Sequence, residues 1–449
     1  MYKPTRRTLL WVSLFSLALL PFLVIGWSWN TASRQLESQL AALRAQGLPT
    51  SAAENNTYYR IPAGAPDRTA DWVTSIRSLI AASAQQTTDA LPEIGTTRTS
   101  PIPPPGVPWV DFEASRQFLK SVEPELQLIR TAASQPGRVR FPVDCSLGPL
   151  ALTLYRMQEI RHVARVFVLD SYVSAHEGKH SRIIENIRSI NALSDTLQDE
   201  PFLMSFSLRL AIEAVSLVEI EKWLSCCDWD DADLASLQSV LVDCQAEAEI
   251  VRCLNGERAN GLTEFKKLPV GPFRPSVEME YIRTIDDAIQ AFSVPWPQPL
   301  KQLAAITVRL NQLGAQPLSR LRYSDVPTFG PTLEQAGRNV ARRVAKQRCM
   351  CLLIAAQRHR LQHGQLPASL SQIDTALRGP AGASEFLLID PFDGQPLCFR
   401  SDDAGIIIYS VSENRIDDGG EIPSESTRVR DVGFRLLKDK SVHDPFEMQ

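Results

Sequence analysis

His176, Glu177 and His180 fit the His-Glu-x-x-His pattern, in which one helix offers two imidazoles to zinc and a glutamate to the attacking water. The residues between them argue for something simpler. Gly178 interrupts the helix that must carry both ligands, Lys179 puts a charge where such sites keep none, and no third-ligand motif follows. The plainer account is a hairpin turn in which Gly178 ends the helix containing Ser174 and Ala175 and His180 begins the next. A membrane-bound zinc hydrolase using His176, Glu177 and His180 is the alternative reading, and a bend at Gly178 tells against it.

A second group suits a hard cation. Asn414, Asp417 and Asp418 are followed by Gly419 and Gly420, and Asp431 can close the group from the following strand. Calcium takes about six to eight oxygen ligands, many of them backbone carbonyls, so carboxylates on a loop free to curl are the right materials. The same residues also suit an Asp-Gly turn with solvated carboxylates, and no calcium-hand spacing decides between the two.

The remaining chemistry-bearing residues read as structure. In Asp390-Pro391-Phe392-Asp393-Gly394, Pro391 fixes φ, Asp393 and Gly394 make a tight turn, and Phe392 covers the core beneath. The basic run Arg338, Arg342, Arg343, Lys346 and Arg348 reads as a solvated helix face, with anionic lipid or an acidic partner as the alternative. Cys349 and Cys351, two apart on a helix, point to different faces and make a poor chelate. The eight cysteines include no Cys-x-x-Cys pair, and most lie in apolar helical contexts where a buried thiol is expected. Serine-hydrolase elbows, nucleotide-binding glycine loops and kinase motifs are absent from the sequence.

The elements that must position these residues are mostly helical. Apolar residues recur at three-to-four spacing over 71–82, 111–131, 149–175, 180–197, 201–224, 231–254, 277–292, 300–313 and 332–363. Thr332 and Gln335 form a capping box at the start of the last helix, and Gly364 follows its end. Short breaks make neighbours antiparallel, which predicts a helical bundle or a stack of helical hairpins. Residues 87–108, with Pro101, Pro103, Pro104, Pro105 and Pro108, read as an extended spacer or surface strap. Two apolar runs between 386 and 410, punctuated by turn residues, predict a short antiparallel sheet.

A chain of 449 residues, 44% hydrophobic and 22% charged, can bury a sizeable core, and its net charge of -4 argues against a nucleic-acid partner. Residues 8–29 carry no charge and are long enough to cross a bilayer. Lys3, Arg6 and Arg7 precede them, so the positive-inside rule keeps the N-terminus cytoplasmic and exports the rest. Leu36, Leu40 and Leu43 at helical spacing then predict a short juxtamembrane helix over 33–46, packing on a partner helix or on its own domain.

Residues 340–434 resemble the region after the anchor in the major pseudopilins of type II secretion. The resemblance rests on a helix, a Gly-x-Leu-Pro-x-Ser-Leu break at 364–370, Asp-Pro-Phe-Asp-Gly-x-Pro-Leu at 390–397, and a Ser-x-Ser-x-Asn-x-x-Asp-Asp-Gly-Gly loop at 410–420. In that family the last loop binds calcium, which the resemblance places near Asn414, Asp417, Asp418 and Asp431. The chain departs from the family at Lys3-Pro4-Thr5-Arg6-Arg7, where a leader glycine and a Phe-Thr-Leu-x-Glu start belong. It departs again at Ser412, which replaces a usual Gly, and at Asn414, which replaces a frequent Asp.

The expectation is therefore a mainly α protein in four parts. These are a cytoplasmic tip and transmembrane anchor over 1–29, a juxtamembrane helix and Pro-rich linker over 30–110, an α-helical domain over 111–330, and a long helix with a small pseudopilin-like α+β module over 331–449. It is expected to be a single-pass inner-membrane protein that contacts the lipid bilayer through residues 8–29. The bulk is extracytoplasmic and meets envelope protein partners, with calcium as the one expected cofactor and no catalytic residues.

Overall fold

The helix periods place most elements closely, and the exceptions show where tertiary packing decides. The computed structural model describes residues 6–96, 102–147, 149–242, 246–267, 271–316, 319, 323, 326–373, 388–422 and 430–438. Within these the chain is mainly helical, with one small antiparallel sheet.

The first helix, α1 (Arg6–Ala45), is continuous, so the separate juxtamembrane helix is not a separate element. No glycine or proline interrupts 27–46, and the Thr31 hydroxyl donates to the Trp27 carbonyl at 2.9 Å, keeping the turn closed. Side chains at 6–18, 21, 22 and 25 lie outside the described set, so most of the anchor expectation for 8–29 does too. Among the described residues, no helix is long and apolar enough to cross a membrane. Farther along α1, Leu36 and Leu43 are buried in a core shared with Val277, Ile282 and Ile285, so this face packs on its own domain and is closed to a partner helix.

Then follow α2 (Ala52–Tyr58), α3 (Thr69–Ala84), α4 (Phe112–Ser121) and α5 (Glu123–Ala133). The helix expected over 111–131 is two helices meeting at Val122, with Pro124 in the first turn of α5 where its missing N–H costs nothing. The Pro-rich stretch is no free spacer: Leu91, Ile94 and Ile102 are buried in the main core, so the described part is a strap held by apolar contacts.

The next helices are α6 (Pro149–His176), α7 (His180–Asp195), α8 (Leu203–Cys226), α9 (Asp231–Val242), α10 (Ala246–Lys267), α11 (Arg274–Ala291) and α12 (Gln298–Ala315). The single helix expected over 231–254 is thus divided between α9 and α10, and 243–245 lie outside the described residues. Cys244 falls there as well.

The long α13 (Phe329–His363) runs through the middle of the packing and touches α8, α9, α10 and α12. It begins one turn before Thr332, so the expected capping box is interior to the helix and Thr328 is the cap residue. Its end is as expected: Gly364 adopts φ 74° and its N–H reaches the Arg360 carbonyl at 2.8 Å. From Cys349 to Ala356 every residue of α13 is fully buried or nearly so, which no solvated helix permits.

That burial requires a cover, and the sheet supplies part of it. Strands β1 (Cys398–Ser401), β2 (Gly405–Ser410) and β3 (Val432–Leu437) form an antiparallel sheet in the order β1-β2-β3, and β2 and β3 both pack on α13. Ile406, Ile408, Phe434 and Leu436 join the same core as Trp72, Phe167, Trp223 and Leu352. The free edge of β3 is blunted by α8: the Arg435 N–H donates to Glu221 Oε1 at 2.7 Å and the Leu437 N–H to Ser225 Oγ at 3.2 Å. Burial pushes the Glu221 carboxyl up to about 7.

Candidate functional site

The His-Glu-x-x-His residues form a turn. Gly178 adopts φ 71°, α6 ends at His176, α7 begins at His180, and the Lys179 N–H donates to the Ser174 carbonyl at 2.8 Å. His176 is engaged elsewhere: its Nε2 lies 3.0 Å from the Pro103 carbonyl, and its ring sits 5.3 Å from Trp109 and 5.7 Å from Phe112. Glu177 pairs with Lys179 at 2.6 Å. The imidazoles thus stand on two helices, and this hairpin pins the Pro-rich strap.

The acidic loop is brought together around β2 and β3. Gly419 and Gly420 adopt φ 77° and 76°, and the curl directs backbone N–H groups at carboxylates. Gly420 N–H donates to Asp431 Oδ2 and Gly419 N–H to Asp417 Oδ1, both at 2.8 Å. The Tyr409 hydroxyl donates to Asp417 Oδ1, and Asn414 Nδ2 to Asp418 Oδ2, both at 2.9 Å. Asp431 is fully buried, and burial raises its carboxyl above the usual range despite the N–H donors from Gly420 and Asp418. Its Oδ1 is a buried acceptor with no partner among the described residues.

Ser412, where the resemblance expects Gly, adopts φ 56°, a left-handed conformation that explains why a glycine suits this position. Among the described residues, no three His, Cys, Asp or Glu side chains converge closely enough to hold a metal ion. A cation here has one waiting oxygen, Asp431 Oδ1, and would draw Asp417 and Asp418 from their present hydrogen bonds.

Asp390 is the structural centre of the preceding turn. Its Oδ1 accepts from the Phe392 N–H and the Ser410 hydroxyl, and its Oδ2 from the Val411 N–H, each at 2.9 Å. Gly394 has φ 81°, and Phe392 is buried against Ala341 and Ala345 of α13. The five residues are architectural, as the turn chemistry predicts.

The basic run is a correction. It is no solvated face: Arg343 is 6% exposed, and its guanidinium contacts Glu213 on α8 at 2.7 Å and Glu249 on α10 at 2.8 Å. Arg342 binds Glu413 at 2.6 Å, Arg338 approaches the same carboxylate at 3.6 Å, and Arg348 donates to the Ile389 carbonyl. The run holds α13 against α8, α10 and the β-module.

Sequence reasoning missed a cavity that this ion-pair network lines. It measures about 510 Å³, within the range of ordinary small-molecule sites. Arg209 and Arg343 face Glu213 and Glu249 in its wall, with Arg209 also 2.8 Å from Asp195. Burial pushes the Glu213 carboxyl upward against the pull of Arg343 and Arg209. The signal that could have revealed it is the pair Arg209 and Glu213, four apart and the sole charged residues between Leu203 and Val218.

Comparison with known proteins gives no match to a family model, to a curated protein or to a solved structure.

Proposed function

We propose that this chain is a membrane-anchored, non-catalytic interaction protein of the bacterial envelope or secretion apparatus, with a pseudopilin-like C-terminal module. It crosses the inner membrane once through residues 8–29, keeps its N-terminus cytoplasmic and holds its helical domain outside. One observation supports the anchor most directly. Leu19, Leu20, Leu23, Val24, Trp27 and Trp29 are exposed on α1, whereas Leu36 and Leu43 farther along the same helix are buried on its own domain. An apolar surface left bare on one half of a helix calls for a nonaqueous solvent, and tryptophans suit its interface with water. Reporter fusions after residue 46 test the orientation: an export-dependent reporter is expected to be active there, and activity of a cytoplasm-only reporter overturns the proposal.

The module's acidic loop is proposed to take calcium, with Asp431 Oδ1, Asp417, Asp418 and Asn414 as the side-chain oxygens. The orphaned buried oxygen of Asp431 supports this reading. Calcium at a hundredfold excess over its Kd is expected to stabilise the full-length protein in detergent by about 2.7 kcal/mol relative to chelator. Asp431→Asn is expected to lose the shift, and equal melting of the unmodified protein in calcium and chelator removes the site.

A further inference from the structure

We infer that the 510 Å³ cavity binds a free α-amino acid with a polar, uncharged side chain. This inference is independent of the anchor and of calcium, because neither supplies any of the cavity's residues.

The cavity is lined by four arginines, Arg138, Arg209, Arg252 and Arg343, and by four acids, Asp195, Asp199, Glu213 and Glu249. A lining balanced in charge favours a ligand balanced in charge over a simple anion or cation. The inner groups are already matched, since Arg209 and Arg343 are divided between Glu213 and Glu249, and Asp195 takes a hydrogen bond from Arg209.

The outer groups are matched only loosely, with Arg252 also stacked on the Tyr58 ring at 5.7 Å. Arg138 and Arg252, whose side chains are 36% and 32% exposed, approach Asp199 only to 3.7 and 3.9 Å, beyond hydrogen-bond reach. Asp199 is 6% exposed, and its Oδ2 has no hydrogen-bond donor among the described residues. Two guanidiniums, each within 4 Å of one carboxylate, repeat with charges reversed the adjacent carboxylate and ammonium of an α-amino acid. The ligand carboxylate would bridge Arg138 and Arg252, and its ammonium would donate to Asp199 Oδ2.

Two further groups select the side chain. Asn191 Nδ2 and Gln347 Oε1 are an orphaned donor and an orphaned acceptor, on residues each 9% exposed that line the same cavity. Leaving them unpaired is costly, so an apolar ligand side chain is disfavoured and one that both accepts and donates is favoured. A primary amide does both.

The probe is L-glutamine, tested by thermal melting and calorimetry on the full-length protein in detergent micelles at pH 7. Glutamine is expected to raise the melting temperature. N-acetylglutamine, which lacks the ammonium, glutaminamide, which lacks the carboxylate, and L-leucine are each expected to bind at least about tenfold more weakly. Arg252→Gln should erase the preference for glutamine over glutaminamide, and Asp199→Asn the preference over N-acetylglutamine. Should Asp199→Asn fail to fold, Arg138→Gln, which alters a partly exposed side chain, carries the test with Arg252→Gln. Absence of stabilisation by glutamine up to about 10 mM, or equal stabilisation by its doubly blocked derivative, overturns the inference.

Discussion

Replacing Arg343 by methionine will destabilise the protein by about 3–5 kcal/mol, read as a fall in the urea midpoint of unfolding. The size follows from what is left behind. Among the described residues, Arg209 and Arg343 are the guanidiniums that contact Glu213 and Glu249, whose side chains are each 11% exposed, and removal of Arg343 leaves Arg209 to serve both. A buried carboxylate stripped of its cation keeps its desolvation cost and loses the attraction that offset it. Methionine keeps most of the volume, so cavity formation contributes little and the loss reports the charge. Adding Glu213→Gln should recover part of it, because the second change removes the stranded charge. A single-variant loss below about 1 kcal/mol would mean that the network is solvated and that the packing of α13 on α8 and α10 does not rest on it.

Phe392→Ala should cost a similar amount, about 3–5 kcal/mol, for a different reason. The ring is 1% exposed and packs on Ala341 and Ala345, with Trp296 and Leu300 at the margin of the same cluster. The two alanines lie on α13, whose backbone is held on several sides, so collapse around the missing ring is limited. Asp393→Ala, one residue on, is the control. Asp393 supports the turn through one exposed hydrogen bond, which its Oδ1 accepts from the Gln395 N–H, and its loss should cost less than about 1 kcal/mol. Equal losses for the two variants would show that the turn, and not the apolar seat, attaches the module.

Local patterns carried much of the fold. The ends of α6 and α7 at His176 and His180, the left-handed Gly364 and the Asp390 turn all follow from residues within a few positions of one another. Features set by distant partners were not legible. The arginines of α13 look like a surface stripe until Glu213, Glu249 and Glu413 are brought to them from far along the chain. The break between α4 and α5 was masked because Val122 continues the apolar period. The acidic loop lies between these cases. Its glycines announced the curl, but the hydrogen bonds that hold Asp417 and Asp431 come from Tyr409 and from the Gly420 backbone in the folded sheet. The cavity is assembled from α7, α8, α9, α10, α13 and the segments around Pro62 and Arg138, so no window of sequence contains it.

The blunted edge of β3 bears on how the chain is made. Its last residue, Leu437, completes the sheet that covers α13, and α13 is the element on which α8, α9, α10 and α12 converge. A ribosome building the chain from its N-terminus delivers that cover only after α8, α9, α10, α12 and α13 have been made. Until then the apolar face of α13, including Leu352 and Leu353, has no β2 or β3 to rest on. The contacts that close the fold are long-range, such as Arg435 to Glu221, and they form late and slowly compared with the helices themselves. A nascent chain interrupted before residue 432 therefore presents an open hydrophobic seam to chaperones and proteases, so quality control can recognise incomplete chains by their uncovered central helix.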